Sequence, residues 1–296
     1  MPGPVTQAPP VVSIDVEDWA QSTWDRSLPI STRAVENTHR LLRLLDDCGV
    51  KTTMFVLGKL AEAFPELVRE IRAAGHEIAC HGFGHVEIFK QSPEQFRADV
   101  RRAKEVLEDV TGERVIGYRA PDFSVVRSTL WALEILAELG FIYDSSIFPI
   151  QHKRYGIPEW PRQPIRVELP TGRSICEMPI GSLRFLGKTL PVGGGGYHRL
   201  LPGAVSRLAT RRAMRDGVFV FYCHPYEIDA QEMLDNDLGL PLSIRLHQGL
   251  GRGRYAERVR RWLGEFGGRP MREAVASDVS ASAQLSALVP SATAAA

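Results

Sequence analysis

From Val11 onward, short apolar runs alternate with longer stretches in which apolar residues return every three or four positions. "VVSI" reads as a buried strand, and "AVENTHRLLRLLDDCG" follows with helical spacing and a glycine stop. "TTMFVLG" is strand-like, "ELVREIRAAGH" helical, and "EIAC" strand-like again. "SPEQFRADVRRAKEVLEDVTG" predicts the best-defined helix. Ser92 caps it, Pro93 suits its first turn, and Gln95 completes a capping box. Phe96, Val100, Ala103 and Leu107 then share one face. After Gly112 come the strand "VIGY", the helix "STLWALEILAELG" and the strand "FIY". Strands and helices alternating at this pace predict an α/β fold with parallel strands joined by helical crossovers.

The pattern loosens between Phe148 and Pro202, where prolines are frequent and only "IRVEL" and "SICEMPI" look like strands. With the glycine run Gly193 to Gly196, this reads as an elaborated loop region carrying some extra sheet. Helix and strand resume with "AVSRLATRRAMRDG" and "VFVFYC", and a further helix is expected over Tyr255 to Phe266. The expected organisation is a flexible lead over 1–10, one catalytic domain with a C-terminal elaboration over 11–269, and a disordered Ala/Ser/Val-rich tail over 270–296.

A chain of 296 residues can bury a large core in one domain or two. Its 36 basic and 35 acidic residues give a net charge of +1, which offers no sequence-wide attraction to nucleic acid. Cys48, Cys80, Cys176 and Cys223 are widely spaced and read as free thiols. The first ten residues lack the basic start and apolar core of a signal peptide, and no apolar run approaches a membrane span. A cytoplasmic location is the resulting expectation.

The chemistry lies where apolar strands end. "VVSI" runs into Asp15, "EIAC" into His81, "VIGY" into Arg119, "FIY" into Asp144 and "VFVFYC" into His224. In a parallel sheet or βα-barrel the carboxyl ends of the strands form one functional rim, so these residues are expected to meet. "HGFGH" offers His81 and His85 as a ligand pair, and an open catalytic cation site needs a third ligand. "DVED" can provide it. Asp15 and Glu17 share a strand face, so one can bind an ion while the other takes a proton. Asp18 is a second candidate ligand, or else a helix or Asx cap.

A cation held by one carboxylate and two imidazoles can polarise a carbonyl and activate water. Asp15 is then the candidate base and His224 the candidate acid, with Arg119 holding Asp15. Asp144 is expected to orient an imidazole or Arg119, and the backbone over Pro121, Asp122 and Phe123 to help stabilise an oxyanion. Trp19, Trp24, Tyr197 and Tyr226 are candidate stacking surfaces for a sugar. Nucleotide-binding glycine motifs and a GxSxG elbow are missing.

Taken in order, "SIDVEDW", "HGFGH", "YRAPDF", "YDSS" and "FYCHPYE" resemble the motifs of the polysaccharide deacetylases, the NodB-homology group or carbohydrate esterase family 4. The resemblance runs from Val11 to Glu227. It implies a distorted (β/α)7 barrel that removes acetyl groups from a glycan with one divalent ion, zinc first and Co2+, Ni2+ or Mn2+ as alternatives. It also implies Asp15 as base, His224 as acid, and His81, His85 and either Glu17 or Asp18 as ligands. Many members have adjacent acids where this chain has "DVED", and strand phase favours Glu17. The "DVEDW" form is similar to the subgroup associated with exosortase and PEP-CTERM sorting, which implies an N-acetylated amino sugar of a bacterial exopolysaccharide or its precursor. The alternatives are a small cyclic amidase of allantoinase or imidase type, and a noncatalytic sugar-binding protein.

Overall fold

The structure is a computed structural model describing residues 8–235 and 238–289. Its strands are β1 (Val11–Val16), β2 (Thr53–Val56), β3 (Glu77–Cys80), β4 (Gly117–Tyr118), β5 (Tyr143–Asp144), β6 (Ile165–Glu168), β7 (Ser174–Glu177), β8 (Ser182–Phe185), β9 (Lys188–Pro191), β10 (Val220–Cys223) and β11 (Ser282–Gln284). Helices α1 (Thr32–Asp47), α2 (Gly58–Ala63), α3 (Pro65–Ala73), α4 (Pro93–Thr111) and α5 (Trp131–Glu138) join the first five strands. The later helices are α6 (Gly195–Leu200), α7 (Gly203–Met214), α8 (Leu242–Gly249), α9 (Tyr255–Phe266), α10 (Met271–Asp278) and α11 (Leu285–Leu288).

Seven strands run parallel in the order β10-β1-β2-β3-β4-β5-β7, with β6 antiparallel to β7 and β11 parallel to β6. This is the α/β architecture expected, a distorted (β/α) barrel. Its central strands are buried on both faces, because helices cover one side and the barrel interior the other. The predicted capping box on α4 is present. Gln95 N–H donates to Ser92 Oγ at 3.2 Å, and Ser92 N–H donates to Gln95 Oε1 at 2.8 Å. Phe96, Val100, Ala103 and Leu107 are all buried on its inner face.

The glycine run has a structural task. Between β7 and β10 the chain on either side of the β8–β9 hairpin fills the seam. Gly181 N–H donates to Val220 O at 2.9 Å, Gly193 N–H to Gly181 O at 2.7 Å, and Tyr222 N–H to Gly193 O at 2.8 Å. A Cβ on Gly193 would stand 2.4 Å from Val220 O, and one on Gly195 would stand 2.2 Å from Glu227 Oε2. Only glycine permits so close an approach. Helix α6 starts inside this run, which the sequence pattern had left as loop.

The expected disordered tail needs correction over its described part. Residues 271–289 carry α10, β11 and α11. Met271 is buried, its N–H donates to Thr53 Oγ1 at 2.7 Å, and Arg272 N–H donates to Glu77 Oε2 at 3.0 Å. Alanine and serine hide such a helix from periodicity, because neither marks a face strongly. At the other end Pro10 is buried and its carbonyl accepts Arg269 N–H at 3.1 Å. The expected lead over 1–7 and the tail over 290–296 lie outside the described residues.

Candidate metal centre and active-site cleft

The carboxyl ends of β1, β3, β4 and β10 converge on one cleft. Asp15 closes β1 with Glu17 just beyond it, His81 follows β3, Arg119 follows β4 and His224 follows β10. Glu17, His81 and His85 are buried, and their ligand atoms lie within 4.8 Å of one another. His81 Nε2 is 3.6 Å and His85 Nε2 2.7 Å from Glu17 Oε2. The loop between the histidines folds back tightly: Gly82 has φ 76° and His85 φ 60°, both left-handed. Asp99 accepts Phe83 N–H at 2.9 Å and Arg26 Nε donates to His85 O at 2.7 Å, which pins that conformation.

These residues fit a divalent cation. His81 Nδ1 donates to Arg119 O at 2.9 Å, so its Nε2 lone pair is left facing Glu17. Glu17 Oε2 and His85 Nδ1 are buried without a hydrogen-bond partner. A buried carboxylate oxygen left open to converging imidazoles is the donor set of an N/O metal site. Burial alone would raise the Glu17 carboxyl. The charge of His85 and the close polar approach of both imidazoles outweigh it and hold Glu17 well below the usual carboxylate range.

Opposite stand Asp15 and His224. Arg119, fully buried, donates Nη1 to Asp15 Oδ1 at 2.6 Å, Nε to Ser145 O at 3.0 Å and Nη2 to Ser145 Oγ at 2.9 Å. Phe55 packs under the guanidinium at 4.2 Å. His224 Nε2 lies 3.9 Å from Asp15 Oδ2 and 3.5 Å from Glu17 Oε1, while its Nδ1 lies 3.2 Å from Glu227 Oε2. Burial would push this imidazole down. The bond to Glu227 and the charges of Glu17, Glu227 and Asp15 prevail and raise it to about 9. Tyr226 stacks on His224 at 4.7 Å and donates its hydroxyl to Glu17 Oε1 at 3.2 Å.

The cleft holds about 170 Å³, and Asp122, Phe123, Tyr155, Tyr222 and Tyr226 form much of its wall. Several expected site residues lie elsewhere. Asp18 accepts Ala20 N–H at 3.0 Å and Ser31 N–H at 2.5 Å, so it caps a turn and stands outside the ligand group. Asp144 orients neither an imidazole nor Arg119. It accepts Ser146 Oγ–H at 2.5 Å, Ser146 Oγ accepts Ala120 N–H at 2.7 Å, and its other neighbour is Glu177. Burial and the adjacent Asp144 push Glu177 well above the carboxylate range, so the two carboxyls share a proton. Asp144 therefore acts on the cleft only through Ser146 and the Ala120 backbone. Trp19 is buried against Met233 and Leu240 and is not among the residues lining the cleft. Tyr197 bonds Tyr155 from behind the wall, and Pro121 packs outside the cleft lining. Phe123 N–H is committed to Ala120 O at 3.2 Å, so it is not a free oxyanion donor.

Glu227, Tyr155 and Tyr222 were not singled out from sequence. Glu227 left a signal in "HPYE", a three-residue step that brings its carboxylate to His224 N–H at 3.1 Å. The tyrosines left none.

A parallel α/β barrel with a carboxylate and two imidazoles at its strand ends is a metal-binding barrel protein. Residues 16–142 match the family model described as polysaccharide deacetylase, and residues 145–276 match one described as a domain of unknown function, DUF3473. The chain is 36% identical over 110 residues to a peptidoglycan deacetylase-like protein of Gibberella zeae, covering 36% of this chain and 32% of that protein. It is 33% identical over 110 residues to the peptidoglycan deacetylase of Helicobacter pylori, covering 36% of each. The match thus spans about a third of the length of these curated relatives. Among solved structures, a Mycobacterium smegmatis protein assigned to the polysaccharide deacetylases covers 92% of this chain and 93% of its own, with TM-score 0.61 and 23% identity. That likeness is one of fold.

Proposed function

We infer that the protein is a metal-dependent deacetylase that hydrolyses the N-acetyl group of an amino sugar in a bacterial exopolysaccharide or its precursor. One observation carries the reading: Glu17, His81 and His85 converge on one side of a cleft whose other side holds Asp15 and His224, 3.9 Å apart. Zinc is the ion best suited to one carboxylate and two imidazoles. Bound there, a divalent cation polarises the acetyl carbonyl and lowers the pKa of water.

The chain's own groups complete the reaction. Arg119 fixes Asp15 through Oδ1, so its other oxygen, Oδ2, can take the proton of the attacking water. His224, held protonated by its carboxylate neighbours, gives a proton to the departing amine. Glu227 orients His224 through Nδ1 and leaves Nε2 turned towards Asp15 and Glu17. Asp122, Phe123, Tyr155 and Tyr222 shape the space for the sugar and its acetyl group. Acetate release from N-acetylated oligosaccharides, measured beside bound metal, tests this. A fully metal-loaded protein that releases no acetate from any N-acetylated sugar overturns it.

A further inference from the structure

The peptide joining Arg119 to Ala120 is bonded at both ends. Its carbonyl accepts His81 Nδ1–H at 2.9 Å, and its N–H donates to Ser146 Oγ at 2.7 Å. Ser146 Oγ–H in turn donates to Asp144 Oδ1 at 2.5 Å, and Asp144 is bonded to Glu177. Glu177 Oε1 accepts Ile147 N–H at 2.9 Å. One chain of hydrogen bonds thus runs from a metal ligand to a carboxyl pair that the proposed chemistry leaves unused. His81, Arg119, Ala120, Asp144, Ser146 and Glu177 are all buried, so solvent does not screen it. His85 has no such support, because its Nδ1 is buried without a partner.

The direction of these bonds gives the chain its effect. A carbonyl oxygen only accepts, so His81 Nδ1 is the donor. Every hydrogen from His81 to Asp144 therefore points away from the metal centre. A group that donates to a strong acceptor becomes richer in electrons, and bonds aligned head to tail strengthen one another. The partial double bond of the peptide carries this from its N–H to its C=O. Glu177 is held further above the carboxylate range than Asp144, so the negative charge of the pair lies on Asp144. The neighbouring serine serves the other side of the cleft. Ser145 accepts the Arg119 side chain on both O and Oγ, and Arg119 holds Asp15.

We propose that Asp144 and Ser146 tune the metal ligand His81: the charge on Asp144, passed through Ser146 and the Arg119–Ala120 peptide, enriches His81 Nε2 and tightens its hold on a divalent cation. Neither residue reaches the ion or the substrate, so both act through His81 and neither is catalytic. This rests on the cation-binding part of the deacetylase reading and not on the reaction.

The test is the zinc affinity of the full chain, measured by competition with a chromophoric chelator. Ser146→Ala, which breaks the chain, should weaken zinc by about tenfold, the low end for loss of an outer partner of a ligand. Asp144→Asn, which keeps the shape and removes the charge, should weaken it by about threefold to tenfold. Glu177→Gln should bind as the unaltered protein does, because its amide still donates to Asp144 and its oxygen still accepts Ile147 N–H. Ser145→Ala should keep its affinity too. A packing role alone would make Glu177→Gln as harmful as Asp144→Asn. A second readout needs no metal: the His81 Nδ1 proton resonance should move upfield in Ser146→Ala and Asp144→Asn and stay in place in Glu177→Gln. If Ser146→Ala does not fold, the contrast between Asp144→Asn and Glu177→Gln decides. If the unaltered protein binds no zinc, the metal reading fails, while the proton resonance still shows whether the chain reaches His81. Unchanged affinity in Ser146→Ala and Asp144→Asn, equal loss in Glu177→Gln, or an unmoved Nδ1 proton would each overturn the proposal.

Discussion

The two sides of the cleft solve opposite problems, and the side facing the ligand group draws on both halves of the chain, Asp15 and Arg119 from the first and His224 from the second. Glu17, His81 and His85 belong to the half matching the deacetylase family, and their polar atoms are left open: a buried carboxylate oxygen without a hydrogen bond, facing two imidazoles. His224 belongs to the half matching the domain of unknown function, and its imidazole is closed off, with Glu227 on Nδ1 and Tyr226 stacked on the ring. Open lone pairs hold a cation, while a carboxylate-backed imidazole holds a proton. The half matching the domain of unknown function therefore supplies part of the site's wall, and the two sides of the cleft should fail differently when damaged.

The largest difference is expected from His81→Ala. It should abolish bound metal and acetate release together, read by elemental analysis beside the rate. Asp15→Asn and His224→Ala should keep the metal and lose about 10²- to 10⁴-fold in rate. Equal metal loss in all three would erase the distinction between the sides. Glu227→Gln should also keep the metal, with a smaller fall of about 10- to 100-fold, because His224 loses its charged partner while the hydrogen bond survives. Full activity in that variant would remove Glu227 from the site. Asp18→Ala should leave metal and rate intact and cost about 1 kcal/mol of stability in urea unfolding, as expected of a cap. Loss of metal there would return Asp18 to the ligand set.

A pH effect sharpens the contrast around β10. His198 packs on Phe221 at 4.9 Å and Trp262 at 5.8 Å, and its Nε2 donates to Val192 O at 3.0 Å. Burial pushes it down to about 4, against about 9 for His224. Its folded value lies below its unfolded one, so the unfolded chain binds the proton more readily between them. Stability from this group is full above about pH 6.5 and is lost as pH falls towards 4, by up to about 3 kcal/mol. Denaturant unfolding at pH 7 and pH 5 should show this fall, and His198→Asn should flatten it. An unchanged slope in that variant would assign the acid sensitivity to other groups such as His76, also buried and lowered to about 4.

The site was readable from sequence only where chain direction decides placement. Parallel strands put their carboxyl ends on one rim whatever their separation in sequence, so Asp15, His81, Arg119 and His224 could be brought together from the ends of apolar runs. Strand phase also separated Glu17 from Asp18, since Asp15 and Glu17 share a face. Asp144 meets the same strand-end rule and was still misread, because Ser146 and Glu177 take its carboxylate before any imidazole can. Trp19, Tyr197 and Pro121 were misplaced for a related reason. A side chain's final direction depends on what packs beside it.

The amino-acid order by itself thus determined the parallel α/β barrel, its capped helices and the rim on which the reactive groups meet. These follow from periodicity and strand polarity, which are local. Only the tertiary structure decided that Gly181, Gly193 and Gly195 fill the seam beside β10, that an alanine-rich terminus docks on Thr53 and Glu77, and that Glu227 backs His224. Each of those depends on close approach between segments far apart in sequence or on the final aim of one side chain, and no local pattern records either.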